Sequence, residues 1–117
     1  MGTTFETVRE IAAGLPEVTE GLSFDTPSLK VRKKGLAWLR HDGVLVLRLP
    51  VEHREALIHT EPDKYFLEPH YLNYPSVLVR LEAVDRDELA DLMEDAWRAV
   101  APKRLAAAFD AREDRTR

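Results

Sequence analysis

Residues able to carry out catalysis or to bind a metal are sparse and scattered along this chain. It has no cysteine, which excludes disulfides, thiolate zinc sites, iron–sulfur clusters and cysteine nucleophiles. No nucleophile-elbow, zinc-protease or phosphate-loop motif is present. Glu55 and His59 have the i, i+4 spacing of helical metal ligands, but such a pair is usually two solvated neighbours. We therefore expect no catalytic residue, no metal site, no cofactor and no enzymatic activity.

A basic segment is the first candidate for binding. Lys30, Arg32, Lys33 and Lys34 cluster on a predicted strand and its turn, and Arg40 follows on the next strand. A basic hairpin tip can act as a wing that neutralises the phosphates of a nucleic acid. The alternative is that these charges protect a strand edge from pairing with other chains. The residues alone favour neither interpretation.

An aromatic segment, residues 64–75, is the second candidate. It holds two prolines together with His70, Tyr71 and Tyr74, in a stretch that must be partly loop. Exposed rings in a loop can stack on bases or grip a ligand. Alternatively, the tyrosines close one end of the hydrophobic core.

Charge is distributed unevenly along the chain. The net charge is −4, which argues against nucleic acid because DNA-binding domains are usually basic. However, residues 30–54 hold seven basic side chains and two acidic ones, whereas residues 85–95 hold six acids and one arginine. Since salt screens charges over about 8–10 Å, a locally basic surface can still bind an anion.

The bulk properties are those of one small globular domain. With 117 residues the chain has room for one hydrophobic core, so we predict a single domain over residues 1–109 and a disordered tail at 110–117. No apolar run is long enough to cross a bilayer, and the N-terminus lacks the features of a signal peptide. We expect a cytoplasmic monomer that does not bind membranes, and the absence of cysteine fits that reducing compartment.

Hydrophobic periodicity predicts an antiparallel sheet between an N-terminal and a C-terminal helix. Thr3 with Glu6, and Asp85 with Glu88, have the spacing of a capping box before helices at 5–15 and 89–100. Strands are predicted at 19–24, 28–32, 36–41, 44–49, 65–67 and 76–82, with a turn at 33–35 and helices at 51–59 and 103–109. This order predicts an α+β class, a two-layer domain with helices packed on one face of an antiparallel sheet.

The dipeptide Asp42-Gly43 predicts a two-residue hairpin turn, because a type I′ turn needs positive φ at both positions. That turn would fix which side chains share a face of the sheet. The predicted core face holds Leu36, Trp38, Leu45, Leu47 and Leu49. The opposite face would hold Ala37, Leu39, His41, Val44, Val46 and Arg48.

Four segments have an order and spacing that match a known family over nearly all of residues 5–105. They are VREIA (8–12) with LPEVTE (15–20), TPSLKVR (26–32), PHYLNYP (69–75) with SVLVRL (76–81), and AWRAVAPKRL (96–105). Together they resemble the YjbR/MmcQ-like family of small bacterial proteins.

The resemblance implies a fold similar to that of CyaY and frataxin, and DNA binding by analogy with a double-wing architecture. Frataxins carry acids along the first helix, whereas here that helix offers only Glu6 and Glu10, so we expect no iron site. Our leading hypothesis is a nucleic-acid-binding or regulatory module that contacts DNA through the basic segment. The alternative is a domain that binds a protein or a small ligand through the aromatic segment.

Overall fold

The structure, a computed structural model, describes residues 2–115 and the side chains up to Arg112. The helices are α1 (Phe5–Ala12), α2 (Val51–Thr60), α3 (Arg86–Val100) and α4 (Lys103–Arg115). The strands are β1 (Val18–Ser23), β2 (Thr26–Val31), β3 (Lys34–Leu39), β4 (Leu45–Arg48), β5 (Tyr65–Phe66) and β6 (Ser76–Val79). Short 3₁₀ turns lie at Pro69–Tyr71 and Leu81–Ala83, so the last strand ends three residues earlier than predicted.

The strands form one antiparallel sheet in the order β1-β2-β3-β4-β6-β5. Leu29, Ala37, Leu47 and Val77 lie side by side across its central strands and are all buried. They belong to one apolar cluster with the inward side chains of the helices, which defines the core face of the sheet. The predicted α+β class, with helices on one face of an antiparallel sheet, is confirmed.

The β3–β4 hairpin corrects the predicted register by one residue. Trp38 lies opposite Val46, and the loop has three residues, closed by the Arg40 amide donating to the Val44 carbonyl at 2.9 Å. The Gly43 amide donates to the Arg40 carbonyl, and Gly43 has a φ of 85°. These features are typical of a type I turn followed by a bulge residue with positive φ. Asp42-Gly43 is therefore part of a longer loop, and the prediction of a two-residue turn was wrong.

The shift moves Trp38 to the other side of the sheet, which we call the outer face. Ser28, Trp38, Val46 and Leu78 form a row across it. Leu45 and Leu47 keep their predicted place in the core, where Ala37 joins them. Leu36 also reaches the core, because the β2–β3 register shifts next to Leu29 and the strand bulges there.

Two further turns use left-handed backbone at residues other than glycine. Phe24 and Asp25, with φ of 52° and 65°, join β1 to β2. Arg32, with φ of 56°, and Lys33 join β2 to β3, so the turn lies before the predicted residues 33–35. Such φ values are unfavourable for L residues, so tertiary contacts must hold these turns.

The predicted caps are confirmed for one helix and corrected for the other. The Asp85 carboxylate accepts a hydrogen bond from the Glu88 amide at 2.8 Å and caps α3. At α1 the cap lies one residue later than predicted, with the Thr4 amide donating to the Thr7 hydroxyl. Thr3 is instead buried, and both its amide and its hydroxyl donate to the Leu81 carbonyl.

The C-terminal segment extends the helical layer. Phe109 packs on Trp97 with ring centres 5.0 Å apart, and Asp110 accepts a hydrogen bond from Arg98 at 2.6 Å. Residues 110–115, predicted from the sequence to form a disordered tail, continue α4 in the structure. Residues 116 and 117 lie outside the described residues.

Candidate binding site on the outer face of the sheet

A cavity of about 300 Å³ lies on the outer face. Its lining includes Ser28, Trp38, Val46 and Ser76, which come from four neighbouring strands. Three of these residues are buried and Trp38 is half-buried, so the lining has a rigid strand backbone behind it. None of the Asp and Glu residues whose side chains the structure describes lines the cavity. We call this the outer-face cavity.

Exposed apolar side chains border the outer-face cavity. Leu22, from β1, and Tyr74, from the aromatic segment, line it and are 75% and 57% exposed. Phe24, 77% exposed, packs against Trp38 with ring centres 5.7 Å apart. Exposed apolar side chains around a cavity are typical of binding surfaces, because a soluble protein rarely exposes a large apolar patch without a function.

The cations near the cavity fall into two groups. Lys30, Lys33, Lys34 and Arg48 are exposed, and among the side chains of residues 2–112 none of them has a carboxylate oxygen within the 4.0 Å of a salt bridge. Lys30 and Arg48 line the cavity, whereas Lys33 lies in the β2–β3 turn and Lys34 begins β3. Most arginines elsewhere in the described chain are bonded to carboxylates, so positive charge is left unneutralised here.

The other two predicted cations, Arg32 and Arg40, are held by acids. The Arg32 guanidinium donates to both Glu17 carboxylate oxygens, at 2.7 and 3.1 Å, and this lowers the pKa of Glu17. Arg40 donates to Asp42 and to Glu68, and its hydrogen bonds lower the pKa of Asp42. These pairs fasten the two hairpin loops to neighbouring segments, so both arginines have structural partners.

The aromatic segment is divided between the cavity and its own packing. Of the predicted ligand-binding residues, only Tyr74 lines the outer-face cavity. His70 packs edge-on against Tyr71, with ring centres 5.0 Å apart, and lies 6.3 Å from the Tyr74 ring. Arg40 lies over the Tyr71 ring at 6.0 Å, which connects the segment to the β3–β4 hairpin.

A buried arginine positions the end of this segment. Arg54 of α2 is 2% exposed and donates to the carbonyls of Tyr74 at 2.6 Å and Ser76 at 3.1 Å. A further bond reaches the Leu72 carbonyl at 3.4 Å. Since Tyr74 and Ser76 both line the cavity, Arg54 sets the position of that part of its lining.

A second polar cluster ties β5 to α3. The Tyr65 hydroxyl donates to Glu88 at 2.6 Å, and the Lys64 ammonium donates to the same carboxylate at 2.9 Å. Burial alone would raise the pKa of Glu88, but these hydrogen bonds outweigh it and hold the pKa below its ordinary value. Burial and the same carboxylate raise the pKa of Tyr65. All three groups are used in holding the fold together.

Among the described side chains, those of residues 2–112, no group of three or more His, Asp or Glu is placed to hold a metal ion. Likewise, none of the helices in the described part of the chain is both long and apolar enough to span a membrane.

Of the residues that line the cavity, only Lys30 and Tyr74 were predicted from the sequence to bind; Ser28, Trp38, Arg48 and Ser76 are among those that were not. Trp38 and Ser28 were missed because the register was misplaced and because serine in a strand carries no signal of its own. Arg48 had a signal, since it alternates with Leu47 and Leu49, but its place in the same cavity lining as Lys30 depends on the order of strands. Ser76 enters through the pairing of β6 with β4.

The fold defines a small α+β domain built on a single six-stranded antiparallel sheet. The family model described as YjbR matches residues 13–99, and the chain belongs to this family. Uncharacterized proteins of Mycobacterium tuberculosis and Mycobacterium bovis are 34% identical to this chain, in alignments that cover 91% of this chain and 95% of each relative. A crystal structure of a Deinococcus radiodurans protein, described as a DUF419 domain, has a similar fold, with a TM-score of 0.74 and 24% identity over 86% of this chain and 80% of that one.

Proposed function

We propose that this YjbR-family protein is a non-catalytic module that binds nucleic acid, with DNA as its partner, in the cytoplasm. One observation carries the proposal: Lys30, Lys33, Lys34 and Arg48 are exposed on one hairpin and the adjoining outer face, and no carboxylate of residues 2–112 forms a salt bridge with them. A nucleic acid supplies the missing anions as a row of phosphates. We call these four side chains the basic patch.

The basic patch sets the character of the binding. Each phosphate that a lysine or arginine neutralises releases counterions, so the logarithm of the affinity falls by about 0.7–0.9 per contact for each tenfold rise in salt. With up to four contacts and a net charge of −4, we expect weak binding with little sequence preference. Arg32 and Arg40 contribute less, because their carboxylate partners already compensate their charge.

A titration of labelled single-stranded and duplex DNA at several salt concentrations tests this function. The double variant Lys33→Gln/Lys34→Gln removes two phosphate contacts, so the slope against the logarithm of salt should flatten by about 1.4–1.8. The matched control is Lys103→Gln/Arg104→Gln, which removes two exposed cations from α4 and should leave the slope unchanged. If neither form of DNA binds at about 50 µM protein in low salt, where even non-specific binders are measurable, the proposal is overturned.

A second candidate function is the binding of a protein or small ligand through the aromatic segment. It is favoured by the exposure of Tyr74, 57%, at the border of the cavity. This function predicts that Tyr74→Ala abolishes the binding of that protein or ligand at every salt concentration, while Lys33→Gln/Lys34→Gln has no effect on it.

A further inference from the structure

Building on the proposed nucleic-acid function, we propose that the outer-face cavity accepts one unpaired nucleotide of a single strand. The base would lie against Trp38, and its phosphate would lie between Lys30 and Arg48. The protein would therefore prefer single strands to duplex, because a base within a paired stack cannot enter a cavity.

The size and chemistry of the cavity fit this occupant. About 300 Å³ is at the lower end of small-ligand sites, which suits one nucleotide better than a larger ligand. A base has two apolar faces and a polar edge. Correspondingly, the lining combines Trp38 and Val46 with the hydroxyl-bearing residues Ser28 and Ser76.

Trp38 is held in one orientation before any ligand arrives. Its indole Nε1 donates to the Thr26 hydroxyl at 2.8 Å and to the Ser23 carbonyl at 3.2 Å. The polar edge of the indole is thus already bonded, so what the ring offers a ligand is its apolar surface. A fixed aromatic surface that stacks on any base is the usual means of binding single strands without sequence preference.

Charge complementarity selects an anionic occupant over a neutral aromatic one. Lys30 and Arg48 both line the cavity, and among the side chains of residues 2–112 no acid lines it and no carboxylate forms a salt bridge with either cation. A phosphate attached to a base would therefore meet two cations beside the aromatic surface. The basic patch continues to Lys33 in the β2–β3 turn, where a neighbouring phosphate of the strand would follow, whereas Lys34 pairs with the buried Val31 and so starts on the core side of the sheet.

¹H–¹⁵N NMR spectroscopy of ¹⁵N-labelled protein can test the occupant directly. Each tryptophan indole gives its own N–H signal, and the chain has only two tryptophans. Trp97 is fully buried, with its Nε1 bonded to the Pro16 carbonyl, and serves as an internal reference. Titration with an oligothymidylate should shift the Trp38 indole signal and leave that of Trp97 in place. Thymidine monophosphate should shift the same signal more weakly, whereas inorganic phosphate and duplex DNA should not.

Variants separate the cavity from the basic patch. Trp38→Leu should weaken single-strand binding by about 5- to 150-fold, the usual effect of losing one stacked base, and leave duplex binding unchanged. Tyr71→Leu, an aromatic residue outside the cavity, is the matched control. If Trp38→Leu folds poorly, Lys30→Gln/Arg48→Gln changes only exposed residues and should remove the shift of the Trp38 indole by thymidine monophosphate.

The outcomes distinguish this inference from the function on which it rests. If DNA binds in a salt-dependent way but duplex binds as well as single strands and the Trp38 signal does not move, the cavity proposal is overturned and the basic patch stands. If thymidine monophosphate shifts Trp38 but no strand binds, both are overturned, and the cavity is a site for free nucleotides. If an unrelated protein or a neutral aromatic compound binds there more tightly than the nucleotide, the assignment of the occupant is wrong.

Discussion

Arg54 is the only charged side chain buried within the described residues, and its surroundings are unusual. Its Nε is buried without a hydrogen-bond partner, and its nearest carboxylate, Glu55, lies 3.3 Å from Nη2 on a mostly exposed side chain. Burying a charge so poorly compensated costs free energy. In exchange for this cost, one planar guanidinium fixes the position of three backbone carbonyls, those of Leu72, Tyr74 and Ser76.

Arg54→Lys should therefore destabilise the protein although it keeps the charge. A lysine cannot reproduce the fork geometry, and buried carbonyls left without a donor cost about 1–3 kcal/mol. We expect the free energy of unfolding in urea to fall by that amount. The matched control is Arg48→Lys, an exposed arginine whose replacement should change stability by less than about 0.5 kcal/mol. Equal unfolding midpoints for the two variants would show that Arg54 does not hold the segment.

At the scale of elements, the β3–β4 hairpin shows what a short sequence pattern can and cannot specify. Asp42-Gly43 requires positive φ at the glycine in both a two-residue and a three-residue loop, so the dipeptide predicts a hairpin but not its register. The structure has the three-residue loop. In that register the strand residues contact others that are distant in sequence: Trp38 contacts Thr26, and Arg40 contacts Glu68. A one-residue error in the register assigns the side chains of the shifted strand to the opposite face of the sheet, and Trp38 was misassigned for that reason.

The glycines of this hairpin give a paired test of the corrected turn. Gly43 has a φ of 85°, so Gly43→Ala should destabilise the protein by about 1–2 kcal/mol. Gly35, on β3, lacks a positive φ, and a Cβ there would meet no atom within 4 Å. Gly35→Ala should therefore be neutral or stabilise by up to about 1 kcal/mol, because it restricts the unfolded chain. Thermal or urea unfolding of both variants measures the difference, and a neutral Gly43→Ala would contradict the left-handed loop.

The sequence predicted the secondary-structure elements better than the residues of the candidate site. The amphipathic pattern of α3 and its Asp85 cap are local signals, and both are confirmed. The basic segment was found by charge alone, but Glu17, the partner of Arg32, and Glu68, one of the two partners of Arg40, lie 15 and 28 residues away along the chain. The outer-face cavity was missed because it is assembled from separate strands and the aromatic segment, and none of these carries a motif.

At the scale of the whole molecule, the sheet separates the two charge clusters found in the sequence. The basic patch lies on the β2–β3 hairpin and the outer face. The acids of residues 85–95 belong to α3 and its cap, and α3 packs against β3 and β4 through the core face. The net charge of −4 is therefore a poor guide to the field at the outer face, where salt screens the distant acids within about 8 Å.

This separation predicts a salt-dependent effect of acids that never touch the ligand. Asp87 and Asp91 are exposed on α3 and have no salt-bridge partner among the side chains of residues 2–112. In about 150 mM salt the double variant Asp87→Asn/Asp91→Asn should bind single-stranded DNA within about twofold of the wild type, since the Debye length is shorter than the thickness of the sheet and helix layers. In about 10 mM salt, where the Debye length is near 30 Å, removing two negative charges should raise the affinity measurably. An increase of the same size at both salt concentrations would mean that these acids lie beside the bound strand, and the outer face would then not be the binding surface.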